Sequence, residues 1–392
     1  MTFTQPLRIL HVFRAPLGGL FRHVLDLTEA QLARGHAVGL LCDSTIGGDA
    51  AEAALAALSP RLPLGLHRRP IARDPGLSDI AGIRALARLR RETGATVLHG
   101  HGAKGGAYVR ALPLPRGAQV ARVYTPHGGS FHYLPGTAKH RLYMAAERLL
   151  TRRTELFTFE SAYVARRFET EIGGADDRIR VVHNGIADAE FDPVDPSGAA
   201  FDALYIGELR ALKGIDTLID ALALVRARDG RRIRLLAVGS GPDRDALRAR
   251  AADAGLSDDV VFEGPQPIRA VLGRARVMVV PSRAESLPYV VLEAAAARQP
   301  LIATNVGGIP EIFGPYAGDL IASDDPARLA ERLLAKLDEP ESARAASAQT
   351  LAEHVRGRFS LDTMVEGVLA GYASALAARA GAAGALVAAH SS

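Results

Sequence analysis

The stretch PSRAESLPYVVLEAAAARQPLIATNVGGIPEIFG, residues 281–314, holds Glu285 and Glu293 at the two ends of an apolar run. VMVVPS before it predicts a buried strand, and LPYVVLEAAAARQ predicts a helix entered at Pro288, because proline is favoured in the first helical turn. PLIATNVGG predicts a second strand that ends in a Gly-Gly turn. This order predicts a parallel α/β unit with Glu285 in the exit loop of a strand and Glu293 about one turn into the helix.

The same alternation of apolar runs and amphipathic stretches continues along all 392 residues. It predicts an α/β protein with two doubly wound parallel sheets, each in a Rossmann-like domain, and a ligand cleft between the carboxyl ends of the two sheets. The runs that predict strands are LRILHVF, HAVGLLC, TVLHGH, ARVYTPHG, ELFTFES, IRVVHNG, FDALYIGEL, IRLLAVGSG, VVFEG, VMVVPS and PLIATNVGG.

The domain boundaries follow from turn formers. ADAEFDPVDPSGA, residues 187–199, has little periodicity and predicts a linker. We therefore expect an N-terminal domain over residues 1–186 and a C-terminal domain over residues 200–358. A long helical pattern follows over residues 359–380.

Composition limits the class of protein. The only cysteine, Cys42, excludes an internal disulfide, indicates a reducing compartment and is expected to be buried at a strand end. No apolar run is long enough to span a membrane, so we expect a cytoplasmic protein. Residues 1–186 hold 25 Lys and Arg against 15 Asp and Glu, and the remainder holds 22 against 28. A basic first half indicates an anionic partner, although an arginine-rich composition without such a partner gives the same count.

Three stretches of the first half could carry chemistry. Gly18 and Gly19 form a turn before a helix, where backbone N–H groups can meet an anion. His127 ends a strand and could donate to a substrate oxygen or bond its own loop. In TVLHGHGAKGG one histidine is assigned to the core, and His101 with Lys104 is the acceptor-side candidate. Paired histidines also suggest a metal, but no adjacent carboxylate or cysteine completes a ligand set, so we expect none.

In the second half, Arg210 and Lys213 follow a strand and precede a helix. Two cations there could hold a diphosphate or form a solvated basic turn. LLAVGSGPDRDALRARA resembles a dinucleotide fingerprint, but Arg244 stands where the third glycine belongs, so we reject nicotinamide binding. Asp243 and Asp245 are interpreted as helix-capping residues.

Glu285 and Glu293 are placed to accept hydrogen bonds from vicinal hydroxyls, such as those of a sugar or a ribose. The alternative is a solvent-exposed loop glutamate and a glutamate that caps its own helix. The Gly307-Gly308 turn could bring backbone N–H groups to a phosphate.

Taken together, these motifs resemble the retaining family 4 glycosyltransferases of the GT-B fold. The resemblance runs over nearly the whole chain and rests on GGLFRHVLDLTEAQLARGHAV, TPHG, VVHNGI, GELRALKG, and the two glutamates followed by PLIATNVGGIPEI. It implies a nucleotide-diphosphate-sugar donor held mainly by the C-terminal domain. It also implies retention at the anomeric carbon, no metal requirement, no cofactor, and a C-terminal helix that packs on the N-terminal domain.

The resemblance also implies roles for individual residues. Lys213 would hold the diphosphate, Glu293 the ribose hydroxyls and Glu285 the hydroxyls of the transferred sugar, with His127 near that sugar. The catalytic candidates are His127, Glu285, Arg210 and Lys213. The donor-binding candidates are Gly18, Gly19, Gly207, Arg210, Lys213, Gly239, Gly264, Glu285, Ser286, Leu287, Pro288, Glu293, Gly307 and Gly308.

Two positions depart from the family pattern. Family members carry arginine directly after the glycine of GRL…KG, whereas Glu208 stands here, and we hypothesise that Arg210 replaces that arginine. The family's EGFG becomes ESLP at Glu285–Pro288, so donor identity does not carry over.

The acceptor is assigned to the basic half. TAKHRLYMAAERLLTRRTE, residues 137–155, predicts a basic helix that either lies on an anionic membrane or is a solvated face. We favour a lipid-linked acceptor of bacterial exopolysaccharide, capsule or lipopolysaccharide assembly, and we exclude nucleic acid because aromatic residues are few. A soluble saccharide acceptor, a sugar-nucleotide epimerase and a non-catalytic binding protein remain as alternatives.

Overall fold

The computed structural model describes residues 5–115, 117–128 and 137–390, with the backbone alone at residues 176 and 382–390. The chain forms two compact units. The first contains the residues up to Gly185 and those from Leu361 onward, and the second is Ile186–Ser360.

The first unit is built on a seven-stranded parallel sheet with the order β3-β2-β1-β4-β5-β6-β7. Its strands are β1 (Arg8–Phe13), β2 (Ala37–Asp43), β3 (Leu66–Arg69), β4 (Val97–His101), β5 (Ala121–Thr125), β6 (Leu156–Phe159) and β7 (Ile179–Val181). Between them lie α1 (Gly18–Ala33), α2 (Asp49–Leu58), α3 (Ser78–Thr93), α4 (Gly102–Ala111), α5 (Ala138–Thr151) and α6 (Ala162–Glu171).

The second unit is built on a five-stranded parallel sheet with the order β10-β9-β8-β11-β12. Its strands are β8 (Phe201–Ile206), β9 (Leu235–Val238), β10 (Val260–Glu263), β11 (Ala275–Val280) and β12 (Leu301–Ala303). Its helices are α7 (Ile215–Asp229), α8 (Arg244–Asp253), α9 (Ile268–Val271), α10 (Tyr289–Ala296), α11 (Ile309–Phe313), α12 (Pro326–Asp338) and α13 (Glu341–Arg358).

The strand order explains why the apolar runs are nearly continuous. Helices cover both faces of each parallel sheet, so successive side chains of a central strand are all buried. In β1, every residue from Ile9 to Phe13 is buried. The polar exception is His11, whose register partner on β4 is His99. All eleven strands expected from apolar runs are present, and the predicted fold class is confirmed.

The last helix, α14 (Leu361–His390), belongs to the first unit, as the resemblance implied. Met364, Val368 and Tyr372 of α14 are buried in one core cluster with Ile9 of β1 and Val97 of β4. Residues that are distant in sequence thus complete the core of the first unit.

The segment 187–199, interpreted from the sequence as a linker, lies within the second unit. Phe191 is 3% exposed in the core of that unit, and the Val194 N–H donates to the Ala297 carbonyl at 2.9 Å. The linker signal reflects turn formers in a segment that nevertheless packs against α10.

Two further sequence expectations concern single features. Cys42 is fully buried on β2, as predicted, and burial raises the pKa of its thiol to about 12. Among the described residues, no helix combines the length and the apolar character that crossing a membrane requires.

A buried ion pair in the first unit gives a stability prediction. The Arg110 guanidinium donates to Glu147 at 2.6 Å and lies 3.7 Å from the ring centre of Tyr124, and both charged side chains are at most 5% exposed. Replacing Arg110 by Met leaves a buried carboxylate without its cation, which should lower the free energy of unfolding by about 3–5 kcal/mol. Urea unfolding followed by circular dichroism measures this change.

The matched control for this pair removes both charges. The double variant Arg110→Met with Glu147→Leu should recover most of the loss, because no charge is then left buried. Equal destabilisation of the single and double variants would show that packing, rather than charge, sets the cost.

Candidate functional site

The loop after β8 carries the predicted diphosphate cations. A short 3-10 turn, Ala211–Lys213, follows the strand, and α7 begins two residues later. The Asp243 carboxylate accepts from the Ala211 N–H at 2.7 Å and so fixes this turn. Asp243 stands at the N-cap position of α8, as expected, but its side chain makes no cap bond to that helix.

Lys213 and Glu285, 72 residues apart, meet in the structure. The Lys213 ammonium donates to Glu285 Oε1 at 2.6 Å, and the Ser282 hydroxyl donates to the same oxygen at 2.7 Å. The side chain of Glu285 is 9% exposed and that of Lys213 is 26% exposed. An ammonium has three donors, so this contact leaves Lys213 able to bind a further anion.

The Gly-Gly turn after β12 packs directly on the backbone of Glu285. A Cβ on Gly307 would lie 1.8 Å from the Glu285 carbonyl oxygen, and the φ angle of Gly307 is +60°. Glycine is required here both by the backbone conformation and by the close approach. The two predicted donor-binding segments therefore fix each other's position.

The segment from Ser286 to Glu293 connects this loop to α10. Pro288 is the residue before the first helical turn, and Glu293 is half-buried in the helix. Leu287 is 3% exposed and packs in the core of the second unit. The apolar side chain of Leu287 therefore anchors the loop while Ser286 stays partly exposed, and the donor-binding assignment of Leu287 stays a prediction.

Arg283 is a residue of this loop that the sequence analysis did not single out. Its guanidinium makes a bidentate contact with Asp216 at 2.8 Å and further contacts with Asp324, the Ala211 carbonyl and Thr217. The hydrogen bonds to Asp216 raise the pKa of the Arg283 guanidinium above its ordinary value. Arg283 thus ties the loop after β11 to the start of α7.

Arg210, the proposed replacement for the family arginine, lies next to the residue that displaced that arginine. Its guanidinium is 3.4 Å from the Glu208 carboxylate, and both side chains are about half exposed. Glu208 therefore balances the charge of Arg210, and the replacement stays a prediction.

The remaining donor-side glycines have different surroundings. A Cβ on Gly239 would lie 1.9 Å from the Gly207 carbonyl oxygen, so the ends of β8 and β9 pack too closely for a side chain. A Cβ on Gly264 would meet no atom within 4 Å. In the first unit, Gly18 has a φ angle of +61° with open space around it, and Gly19 is exposed at the start of α1.

Five histidines form one cluster in the first unit, with His127 partly exposed and the other four buried: His11, His23, His99, His101 and His127. His99 and His101 alternate with Gly100 on β4, so both side chains lie on the same face of the sheet. Their ring centres are 3.9 Å apart, and both rings are fully buried. The assignment of only one of them to the core is wrong.

His127 joins this cluster from the loop after β5. Its φ angle is +50°, a left-handed conformation that is uncommon for a residue with a side chain. Its ring stacks on that of His101 and lies edge-on to that of His23, with centres 5.4 Å and 4.8 Å away. The ring therefore occupies a fixed position at the end of the sheet.

Burial keeps the cluster neutral. It lowers the pKa of His11 and of His23 to about 4. It also holds the pKa values of His99, His101 and His127 well below 6.5, and the neighbouring rings lower them further. At neutral pH each ring therefore carries one N–H and one lone pair.

The cluster revises the reasoning about a metal. Two groups, His11 with His99 and His101, and His23 with His101 and His127, bring their ring nitrogens within 4.8 Å of one another. The discount based on missing ligands is therefore wrong, because partners that are distant in sequence supply them. However, contacts of 2.9 Å and 3.1 Å are hydrogen-bond lengths, whereas nitrogens around a tetrahedral Zn²⁺ lie about 3.3 Å apart. The absence of a metal stays a prediction.

Lys104, the second acceptor-side candidate, is held by acidic groups. Its ammonium is 2.8 Å from Asp79 and donates to the Asp74 carbonyl at 3.0 Å, and its side chain is 11% exposed. Tyr108 donates to the same Asp79 carboxylate at 2.8 Å. This cation therefore connects α4 to the start of α3.

Sequence reasoning missed His11, His23, Gln31 and Asn184, which hold the cluster together. His11 donates toward Gln31 at 2.9 Å, and His23 bonds Asn184 at 3.0 Å. One signal was available, since His11 interrupts the apolar run of a central strand. The other contacts depend on the folding of α1 over β1.

The lowered pKa values predict acid lability. A histidine that stays neutral in the folded state but has a pKa near 6.5 when unfolded gives stability that is complete above pH 6.5 and is lost as the pH falls toward 4. Between pH 7 and pH 5, His11 and His23 should each lower the free energy of unfolding by about 2 kcal/mol. Urea unfolding at the two pH values measures this loss.

The variant His11→Gln should reduce this pH dependence by about 2 kcal/mol. His67→Gln is the control outside the cluster, where glutamine can donate to the same Leu64 carbonyl that His67 now bonds at 2.8 Å. An unchanged pH dependence in His11→Gln would contradict a neutral buried ring.

Two family models match the chain. "Glycosyltransferase Family 4" matches residues 17–190, and "Glycosyl transferases group 1" matches residues 189–351. The two matches together extend through both units.

Three relatives are similar in sequence. A D-inositol 3-phosphate glycosyltransferase of Acidothermus cellulolyticus is 36% identical over 240 residues, which are 55% of this chain and 52% of that protein. Another, of Catenulispora acidiphila, is 30% identical over 363 residues, 86% of this chain and 82% of that protein. The glycogen synthase of Mycobacterium tuberculosis is 29% identical and is matched over 87% of its length. The chain spans about half the length of the Acidothermus relative.

Solved structures share the fold. The chain is similar to the sucrose-phosphate synthase of Thermosynechococcus elongatus, with 20% identity, a TM-score of 0.78, and coverage of 95% of this chain and 100% of that one. It is also similar to Anabaena HepE in complex with UDP and glucose, with 17% identity, a TM-score of 0.78, and coverage of 94% and 100%. With the family matches and the Catenulispora relative, these findings show that the chain belongs to the family 4, group 1 glycosyltransferases and has their GT-B fold.

Proposed function

We propose that the protein transfers a hexose from a nucleotide-diphosphate sugar to an acceptor hydroxyl, with retention at the anomeric carbon and without a metal. The observation that carries this proposal is the contact between Lys213 and Glu285 on the loop that Gly307 holds. This contact supports the proposal because a cation suits a diphosphate and a carboxylate beside it suits sugar hydroxyls. A uridine nucleotide is the first donor to test, because the solved structures of Anabaena HepE hold UDP and UDP-glucose.

In the proposed reaction, the bond between the anomeric carbon and the diphosphate breaks while a bond to the acceptor oxygen forms on the same face. The leaving phosphate takes the proton of the acceptor hydroxyl. Lys213 and Arg210 stabilise the charge that develops on the diphosphate. Glu285 accepts from the sugar hydroxyls, Glu293 accepts from the ribose, and His127 contacts the sugar. A trapped covalent glycosyl-enzyme would contradict this mechanism.

For the acceptor, we propose a lipid-linked saccharide at an anionic membrane. The observation that supports this proposal is the exposed face of α5. Leu142 and Leu149 are each 65% exposed and lie seven residues apart, so they share one face of the helix. Exposed cations flank them on both sides: Lys139, Arg141, Arg148, Arg152 and Arg153. Exposed apolar residues between cations are typical of helices that lie in a membrane surface.

A soluble, negatively charged acceptor is the second candidate. The first relatives are named for D-inositol 3-phosphate, and the excess of Lys and Arg in residues 1–186 suits a phosphorylated acceptor as well as an anionic membrane. The glycogen synthase relative suggests a glucan instead. Assays with a lipid-linked saccharide, inositol phosphate and a glucan separate these candidates.

The direct test of the proposed function is a thermal-shift screen of nucleotide sugars. A donor that binds only the folded protein stabilises it by mass action and so raises the melting temperature. At a donor concentration of a hundred times Kd, the free energy of unfolding increases by about 2.7 kcal/mol. The shift and any transfer should persist in EDTA. Hydrolysis or epimerisation without transfer would favour the epimerase alternative.

Lys213 gives the sharpest catalytic prediction. Lys213→Met should lower kcat/KM for the donor by about 10²–10³-fold, because one electrostatic stabiliser of the leaving group is lost. Lys213→Arg keeps the charge and should retain more activity. Kinetics of nucleotide release measure both. If Arg210→Ala in the same assay leaves kcat and KM unchanged, Arg210 does not replace the family arginine.

Gly307 gives a prediction about the loop. Gly307→Ala should weaken donor binding at least tenfold, because the new methyl group would displace the backbone of Glu285. Gly255→Ala is the matched control, since Gly255 also has a positive φ but open space around it. Titration of the donor measures both variants, and equal affinities would show that the close contact does not position Glu285.

The α5 face predicts salt-sensitive binding to vesicles that contain anionic lipid. Removing two cations with Arg141→Gln and Arg152→Gln should abolish flotation, because each basic residue near such a surface contributes about 1 kcal/mol. The control, Arg328→Gln with Arg332→Gln on α12, changes the net charge equally and should still float. Flotation that neither pair affects would contradict the membrane proposal.

A further inference from the structure

Three hydrogen bonds connect Gln31 on α1 to His127 at the end of the sheet. Gln31 Oε1 is 2.9 Å from His11 Nε2, and His11 Nδ1 is 2.9 Å from His101 Nε2. His101 Nδ1 is 3.1 Å from His127 Nε2. Gln31, His11 and His101 are fully buried. Both ring nitrogens of His11 and of His101 are used within this run.

A neutral imidazole has one N–H, so each ring in the run can donate once and accept once. All three hydrogen bonds must therefore point in the same direction. The Gln31 carbonyl oxygen can only accept, which places the proton of His11 on Nε2. His11 Nδ1 then accepts from His101, and His101 Nδ1 accepts from His127 Nε2. The lone pair of His127 is consequently on Nδ1.

The opposite direction is chemically complete as well. If the Gln31 amide turned over, its NH₂ would donate to His11, every ring would exchange its tautomer, and His127 would carry its proton on Nδ1. The Gln31 amide has both an acceptor oxygen and a donor NH₂, so it can meet His11 with either group. The orientation of this amide therefore selects the tautomer of His127, from which it is separated by the rings of His11 and His101.

We propose that Gln31 is a positioning residue that sets, through His11 and His101, which ring nitrogen of His127 is the hydrogen-bond acceptor. The role given to that nitrogen rests on the proposed function, in which His127 contacts the transferred sugar. With its lone pair on Nδ1, His127 accepts from a sugar hydroxyl, whereas the opposite tautomer would donate to it. The run thus determines whether His127 accepts a hydrogen bond from the donor sugar or donates one to it.

The run fixes the direction of its hydrogen bonds and does not hold an additional proton. A pKa of about 4 leaves roughly one ring in a thousand charged at pH 7, so a proton accepted at His127 would not rest on His11. His23 and His99 pack beside the run and are fixed by other partners. His99 bonds Tyr372 at 2.6 Å and Thr125 at 2.8 Å.

The test measures the tautomer of His127 directly in the donor-free protein. Long-range ¹H–¹⁵N spectra of protein labelled with ring-¹⁵N histidine distinguish a protonated nitrogen from one with a lone pair, and loss of one signal set in His127→Gln assigns the residue. In the wild type we expect Nε2 protonated and Nδ1 bare. A protonated Nδ1, or a stoichiometric zinc content in the purified protein, overturns the proposal.

Two variants, Gln31→Met and His11→Phe, then test the role of the run. Gln31→Met fills a similar volume without an amide and should give a mixture of tautomers. His11→Phe breaks the run at its next link, keeps a ring, and should give the same mixture if Gln31→Met does not fold. A wild-type tautomer in the variants that lack the acceptor overturns the proposal.

Kinetics connect the tautomer to the sugar. Gln31→Met should lower kcat/KM for the donor about tenfold relative to the wild type, which corresponds to about one hydrogen bond. If no nucleotide sugar binds to the wild type, the proposed function fails while the spectra still decide the tautomer. If donors bind and react but Gln31→Met keeps the wild-type tautomer and the wild-type kinetics, only the role of Gln31 fails.

Discussion

The position of the Glu285 backbone is the constraint on which the second unit depends. The Glu285 carbonyl lies so close to Gly307 that no side chain fits there. The Glu285 carboxylate accepts hydrogen bonds from Lys213 and Ser282. Loops that follow three different strands therefore converge on one residue. Two of these loops are also fixed elsewhere, the loop after β8 by the Asp243 carboxylate and the loop after β11 by Arg283 and buried Leu287.

Local pattern predicted the strands because burial on both faces of a parallel sheet produces continuous apolar runs. The exception is β3, whose sequence LHRR is half-buried at the edge of its sheet and has no apolar run. The segment 187–199 was misjudged for the opposite reason. Its turn residues indicate a linker, yet Phe191 packs in a core that only the folded chain contains. Composition reports local conformation, whereas packing depends on tertiary partners.

The candidate site shows the same division. The residues that lie at strand ends, such as Lys213 and Glu285, could be chosen from the sequence because parallel strands end at a common edge. Their actual contact, and the buried state of Leu287, required coordinates. The histidines were the larger failure, since residues 11, 23, 99, 101 and 127 are dispersed in sequence and meet only because β1, β4 and β5 are neighbours.

The two units have different chemistry at the ends of their strands. The second unit has cations that remain partly exposed, where charge costs little desolvation, and the proposed function assigns them to a diphosphate. In the proposed function the sugar hydroxyls have two kinds of acceptor, the Glu285 carboxylate, whose charge Lys213 balances, and the neutral ring of His127. A neutral imidazole accepts a hydrogen bond without adding a net charge. Either nitrogen of such a ring can be the acceptor, and in our proposal the buried Gln31 at the far end of the run of rings removes that ambiguity.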